Sequence, residues 1–196
     1  MSLHVYVGPM FSGKTTMVKQ KITTMADIGK TCLFINHADD KRIVEVYDDF
    51  VSTHHSGYKG LSHKVKAVKT DKLSAVDVTE FEVIGVDEGQ FFSKEDIDTI
   101  IQWVEIKNKR VYVGGLAADA KRRHFGYLKE LLATATTFKK IHAWCEICKE
   151  KGTLTKAEHT AYREPLDRST GSSKNVGGAE TYIPLCLSCH KDHTGV

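Results

Sequence analysis

Gly8-Pro9-Met10-Phe11-Ser12-Gly13-Lys14-Thr15 is the stretch whose reading decides the fold. It fits the phosphate-loop pattern of glycine, four residues, then Gly-Lys-Ser/Thr. The flanks agree: Leu-His-Val-Tyr-Val over 3–7 predicts a short strand, and residues 15–25 predict a helix. Glycines let such a loop curl until several amides point inward at phosphate oxygens, and the helix N-terminus adds the positive end of its dipole. In this pattern Lys14 reaches the outer phosphates and the Thr15 hydroxyl holds Mg²⁺. The bland alternative is a glycine turn ahead of a core helix, with the lysine solvated. A strand and a helix both in place argue for the loop, and the chain is read as binding a nucleoside triphosphate.

The 196 residues suffice for one core, or one core plus a small appendage. A hydrophobic fraction of 41% beside a charged fraction of 27% is ordinary for a soluble globular protein. A net charge of +3 is too mild to argue for a nucleic-acid partner. No apolar run approaches the roughly 20 residues that a membrane span needs. The N-terminus passes directly into strand and loop, so no signal peptide is expected and the cytoplasm is the expected compartment.

Cys32 stands alone in an apolar run and reads as a core thiol. The other four cysteines form two pairs, Cys145/Cys148 and Cys186/Cys189. In a reducing compartment this spacing points to metal before disulfide. Tetrahedral Zn²⁺ takes two soft ligands from each Cys-x-x-Cys turn, at about 2.3 Å from the metal. Four thiolates leave no open position, so the site is expected to be structural, stapling the ends of a long loop. His190 or His193 stands close enough in sequence to replace one ligand.

Taken in order, residues 31–36 read as a second strand, and strand-helix-strand implies a right-handed crossover in a parallel sheet. Residues 39–60 read as a long surface loop in which Arg42 is either a solvated residue or a mobile cation for phosphate charge. Residues 63–68 alternate and suggest a strand. Residues 81–86 form an apolar strand that runs into Asp87-Glu88-Gly89-Gln90-Phe91-Phe92. An apolar strand ending in acid is the second element of a phosphate site, since the carboxylate emerges at the sheet edge beside the metal. Ser93 and Asp96 form a loose capping box for a helix to about 107. A strand at 110–114, a loop at 116–123, a helix at about 126–135 and a strand at 138–143 complete the first unit. From Trp144 apolar periodicity is lost, and a glycine-rich loop lies between the cysteine pairs. The expected class is α/β: a phosphate-loop parallel sheet flanked by helices over 1–143, with a small zinc-stapled domain over 144–196.

Together, the Pro-Met-Phe interior of the phosphate loop, Asp87-Glu-Gly-Gln-Phe-Phe92, the paired Cys-x-x-Cys and Val176-Gly-Gly178…Tyr182…Cys186 make the chain resemble the type II (cellular-type) thymidine kinases over nearly its whole length. The resemblance implies transfer of the γ-phosphoryl group of ATP to the 5′-hydroxyl of thymidine, giving dTMP and ADP. It implies Glu88 as general base and a nucleotide cradle made of the loop from Gly8 through Thr15, with Thr16, Asp87 and Gln90. Thr15 and Asp87 would hold Mg²⁺. The thymidine pocket would draw on Met10, Phe91, Leu116, Phe125, Thr155 and Tyr182, at the position of Ala120 as well. A lasso containing Ser173, Lys174, Asn175, Val176 and Gly177 would close over the base. The resemblance further implies structural Zn²⁺, a homotetramer and feedback inhibition by dTTP, with neither nucleic acid nor membrane as partner.

Three positions depart from the pattern. Ala117 stands where Asp is usual, Ala120 where an aromatic Phe is usual, and Leu187 where an Arg often follows the third cysteine. Losing the ring at 120 makes room in the nucleoside pocket, so weaker thymidine binding or broader pyrimidine acceptance is expected. Broader deoxynucleoside phosphorylation is therefore one alternative. A second is an ATPase in which Glu88 activates water, and a third is a zinc-bearing nucleic-acid binder. The tail argues against the third, because its basic residues are mixed with Glu146, Glu150, Glu158, Glu164 and Asp167 and its aromatics are few.

Overall fold

A computed structural model describes residues 1–40, 64–164 and 177–195. Six parallel strands form the central sheet: β1 (Ser2–Val7), β2 (Cys32–His37), β3 (Val65–Thr70), β4 (Val83–Val86), β5 (Arg110–Gly115) and β6 (Thr137–Lys140). Their spatial order is β3-β2-β4-β5-β1-β6, which puts the phosphate-loop strand between β5 and β6. The inner strands read as nearly unbroken apolar runs because both faces are covered. Leu3, Val5 and Val7 point to one face, where α2 (Lys94–Glu105) lays down Ile97, Ile100 and Trp103. Tyr6, Phe34 and Tyr112 point to the other, against Val18, Ile22 and Ala26 of α1 (Lys14–Asp27).

The expected capping box is present. Ser93 Oγ accepts from the Asp96 amide at 3.2 Å, and Asp96 Oδ2 accepts from the Ser93 amide at 3.2 Å. Asp96 Oδ1 also accepts from the Leu73 amide at 2.7 Å, so the cap ties a neighbouring turn to the helix. The helix expected at 126–135 is instead a 3₁₀ turn, Leu128–Leu132. The reason is local: Gly126 has φ 65°, and Leu128 and Leu131, three residues apart, both enter the core. Eclipsed i, i+3 side chains suit a 3₁₀ turn and are too few to sustain an α-helix face. The strand expected at 138–143 divides into β6 and a separate short strand, β7 (Ala143–Trp144).

Beyond β7 come α3 (Glu146–Glu150), β8 (Lys156–Ala157), β9 (His159–Tyr162), β10 (Tyr182–Leu185) and α4 (Leu187–Thr194). β7 pairs with β8 and β10 with β9, both antiparallel. These elements share a small core of Ala143, Cys145, Ala157, Ala161, Ile183 and Leu185. Hydrogen bonds join it to the sheet end and the neighbouring loops. The Met10 amide donates to Thr160 Oγ1 at 2.9 Å, the Ile141 amide to the Val7 carbonyl at 2.7 Å, and His190 Nε2 to the Ala120 carbonyl at 3.1 Å. No helix among the described residues is long and apolar enough to cross a membrane.

Gly85 in β4 lets α1 lie tight on the sheet, since a Cβ there would collide with the Ile22 side chain and reach 3.0 Å from Val18 Cγ1. Gly85→Ala is therefore expected to destabilise by about 1–3 kcal/mol through overpacking. Urea unfolding measures it, and an unchanged midpoint would contradict the tight α1–β4 contact.

Candidate active site

The phosphate loop turns on two left-handed residues, Phe11 at φ 62° and Gly13 at φ 81°. Gly8 at its start is squeezed: a Cβ there would collide with the Ile141 carbonyl and lie 2.8 Å from Ser12 Oγ. Lys14 is buried and its Nζ donates to the Pro9 carbonyl at 2.6 Å, while Ser12 Oγ donates to the same carbonyl at 2.8 Å. The ammonium thus lies folded along the concave side of its own loop. α1 carries neither a side-chain cap nor an acidic residue in its first turn. Its leading amides and dipole therefore favour an anion at the loop.

Across the sheet edge, β4 delivers Asp87. Its amide donates to the Ile35 carbonyl at 2.9 Å, and the residue is buried. Gly114 in β5 leaves the space beside it, because a Cβ there would sit 3.1 Å from Asp87 Oδ1 and 3.7 Å from Lys14 Cβ. A buried carboxylate next to the loop lysine, in a cradle that one methyl would fill, fits a small hard cation held by oxygen ligands.

Glu88 follows in a left-handed conformation, φ 54° and ψ 39°. This is uncommon for a residue with a long side chain and is held by its surroundings. Gln90 supplies much of that hold. Its Nε2 donates to Glu88 Oε2 at 2.5 Å, and its Oε1 accepts from the Leu116 amide at 2.8 Å. Gln90 is buried among glycines: a Cβ on Gly115 would approach Gln90 Oε1 to 2.7 Å, and one on Gly126 would collide with its carbonyl. The sequence places Gln90 with the nucleotide set, whereas its side-chain bonds run to Glu88 and to Leu116 at the start of the 116–126 segment.

That segment carries several residues expected around the nucleoside. The Phe91 ring meets Phe125 edge-on at 5.7 Å and lies 5.5 Å from His37. Burial lowers the pKa of His37, which favours the neutral ring. Leu116 is half-buried, whereas Ala120 is buried with its carbonyl taken by His190. Tyr182 is buried with its ring 4.9 Å from Tyr162, and burial raises its phenol. Asp119 organises the loop tip, accepting from the amides of Lys121 and Arg123 at 2.9 Å and from Arg123 Nε at 2.9 Å. Thr155 lies beside the cysteines: its carbonyl accepts from the Cys145 amide at 2.8 Å and its hydroxyl meets Cys148. Sequence reasoning passed over Thr160, the residue that meets Met10. Its only sequence signal is a place in a short run containing strand-forming Thr and Tyr, His-Thr-Ala-Tyr over 159–162, ahead of the second cysteine pair. Arg42, Ser173, Lys174, Asn175 and Val176 lie outside the described residues, and Gly177 packs so closely on Thr181 that a Cβ would collide with it.

The thiols of Cys145, Cys148, Cys186 and Cys189 all lie within 4.8 Å of one another. Cys148 Sγ is 3.6 Å from Cys189 Sγ and 3.9 Å from Cys186 Sγ. Four soft donors gathered from two turns fit tetrahedral Zn²⁺. The Thr155 hydroxyl and the neighbouring thiols bring Cys148 down to about 7, whereas burial raises Cys145. The two histidines weighed as substitutes are directed elsewhere, His190 Nε2 to Ala120 and His193 Nε2 to the Tyr162 carbonyl at 2.8 Å.

A family model described as thymidine kinase matches residues 1–190. The chain belongs to the thymidine kinase family. Among curated relatives it is 34% identical over 189 residues to a protein of Coprothermobacter proteolyticus named thymidine kinase, covering 96% of this chain and 90% of that one. It is 29% identical over 200 residues to a thymidine kinase of Choristoneura biennis entomopoxvirus, covering both chains completely. Thymidine kinase a of Arabidopsis thaliana is 29% identical over 186 residues, 94% of this chain and 73% of that one. Membership in this family makes the chain a phosphotransferase that uses ATP.

If the thiols hold Zn²⁺, the metal fastens α4 and β9, and through them His190–Ala120 and Thr160–Met10. Chelator treatment is expected to release zinc and to lower the melting temperature, with nucleotide-dependent activity lost in step. Metal release must reverse proton loss at the ligands, so retention weakens as pH falls. A chelated protein with unchanged melting temperature and full activity would contradict the fastening role.

Proposed function

We propose that the chain transfers the γ-phosphoryl group of Mg-ATP to the 5′-hydroxyl of thymidine, giving dTMP and ADP. The observation that carries this reading is the convergence of three groups at one end of the sheet within a chain of this family. These are the phosphate loop with Lys14 folded into it, the buried Asp87, and Glu88 held by Gln90.

Phosphoryl transfer asks for positioning and charge neutralisation more than covalent help. The loop from Gly8 to Thr16 takes the triphosphate on its amides, and Lys14 spreads positive charge toward the outer phosphates. Thr15 and Asp87 would hold Mg²⁺, which would supply charge neutralisation at the triphosphate. The 5′-oxygen attacks the γ-phosphorus as the bond to the bridging oxygen breaks, ADP leaves with that electron pair, and Glu88 accepts the hydroxyl proton. Gln90 keeps the Glu88 carboxylate turned toward the acceptor. Met10, Phe91, Leu116, Phe125 and Tyr182 serve the thymine side, and Thr155 acts through the cysteine turn. We assign 1–143 and 144–196 as the two functional units. A structural Zn²⁺, a homotetrameric cytoplasmic enzyme and dTTP feedback complete the reading. A second outcome, acceptance of several pyrimidine deoxynucleosides, is favoured by Ala120, which carries only a methyl group where the family pattern has a ring.

The test is ADP release from Mg-ATP by wild type and Glu88→Gln, without acceptor and with each deoxynucleoside. Release is expected to depend on thymidine, and the variant is expected to lose roughly 10²–10⁴-fold in turnover while still binding ATP. Normal turnover in the variant would overturn the assignment of Glu88, and acceptor-independent release would overturn the kinase reading.

A further inference from the structure

β2 ends on His37, a buried titratable ring that the transfer chemistry does not use. β2 runs beside β4, whose end carries Asp87 and Glu88. The His37 ring meets Phe92 edge-on at 4.6 Å and lies 5.5 Å from the Phe91 ring, tilted by 44°. Phe92 is 1% exposed and belongs to the core, whereas Phe91 is half-buried and reaches on to Phe125. His37 thus joins a core ring to one that serves the nucleoside.

Packing alone would be met by another apolar ring at this place. Histidine adds an acceptor: Nδ1 accepts from the Asp39 amide at 3.0 Å, which leaves the proton of the neutral ring on Nε2. That bond sets the rotation of the ring. The turn is tied down separately, because the Asp40 amide donates to the His37 carbonyl at 3.1 Å and Lys69 Nζ to the Asp40 carbonyl at 2.6 Å. Protonation would give Nδ1 a hydrogen facing the Asp39 N–H, donor against donor. The Asp39 carboxylate, 3.9 Å from Nδ1, offers the charged ring a different partner, so the ring rotates from its present place beside Phe91. Burial favours the neutral ring, while the carboxylates of Asp39, of Asp71 after β3, of Asp96 in α2 and of Glu88 after β4 favour the charged one. The balance lies on the neutral side, so charge arrives only as pH falls below the ordinary histidine value.

We propose that neutral His37 is a positioning residue for the nucleoside pocket: it holds the Phe91 ring in place, and protonation releases that hold. The inference rests on the phosphoryl-transfer reading above, in which Phe91 serves the thymine side, and adds a pH-sensitive support to it.

Initial rates of the full chain from about pH 8 to about pH 5.5 test it. In wild type the KM for thymidine is expected to rise about two- to tenfold as pH falls, the scale of one aromatic pair. His37→Phe keeps a ring beside Phe91 and cannot gain charge. Its thymidine KM is expected to match wild type at the upper end of the range and then stay level. His37→Asn keeps an acceptor near the place of Nδ1 without the ring, and its thymidine KM is expected to be raised by that same factor at every pH. The KM for ATP is expected to follow one profile in all three proteins. An independent readout is ¹⁹F NMR of protein labelled with fluorophenylalanine, the Phe91 signal being assigned by its loss in Phe91→Leu. That signal is expected to move with pH in wild type and to hold still in His37→Asn. Identical thymidine profiles in wild type and His37→Phe would overturn the proposal, as would a wild-type thymidine KM in His37→Asn. An ATP KM raised together with that of thymidine would make His37 a general prop and overturn it too. ADP release that ignores thymidine would instead overturn the kinase reading, and the ¹⁹F titration then judges the hold of His37 on Phe91 by itself.

Discussion

The hydrogen bond from the Met10 amide to Thr160 Oγ1 joins two parts of the chain 150 residues apart at the apex of the phosphate loop. A phosphate loop works only if its amides hold their directions before the ligand arrives, and a glycine-containing loop does not hold them by itself. Here the loop is fixed from three sides. Gly8 is pressed against Ile141, Lys14 and Ser12 both bond the Pro9 carbonyl, and Thr160 takes the Met10 amide. The last contact makes the loop dependent on β9, and β9 belongs to the small core that the four cysteines share. The chemistry of the first 90 residues is thereby tied to a thiol cluster near the other end.

A similar economy of space governs the acid side. Gly114 leaves room for Asp87, while Gly115 and Gly126 leave room for Gln90 between Glu88 and Leu116. A buried amide bonded at both ends is worth more as an orienting device than as a source of stability, since a net hydrogen bond contributes only about 1 kcal/mol. Its value is that Glu88, in a left-handed conformation, has its carboxylate direction set by a residue that also grips the 116–126 segment. Glu88 and the 116–126 segment are therefore coupled through one side chain.

Much of this was legible in the sequence. The phosphate loop, the acid-tipped strand, the capping box at Ser93 and the two cysteine pairs all rest on local spacing, and local spacing survives folding. What was not legible depends on long-range approach. Thr160 carries no motif, and only the pairing of β9 with β10 brings it to Met10. Gln90 sits in the expected motif, but its bond to Leu116 spans 26 residues and follows from how β5 runs beside β4. The turn at Leu128–Leu132 has helical composition and is prevented from becoming an α-helix by Gly126 and by two leucines that must share one side. Ala120 reads from sequence as a lost ring, and the fold adds that its carbonyl, bonded to His190, still anchors the loop.

The central claim is that the loop, the acids and the nucleoside pocket serve one transfer. Its most direct measurement is ³¹P NMR of a reaction containing the protein, Mg-ATP and thymidine, followed to completion. The account predicts that ADP and a phosphate monoester at the thymidine 5′-oxygen accumulate in equal amounts, with no inorganic phosphate. Inorganic phosphate appearing in step with ADP, and no ester, would mean that Glu88 activates water and would contradict the account.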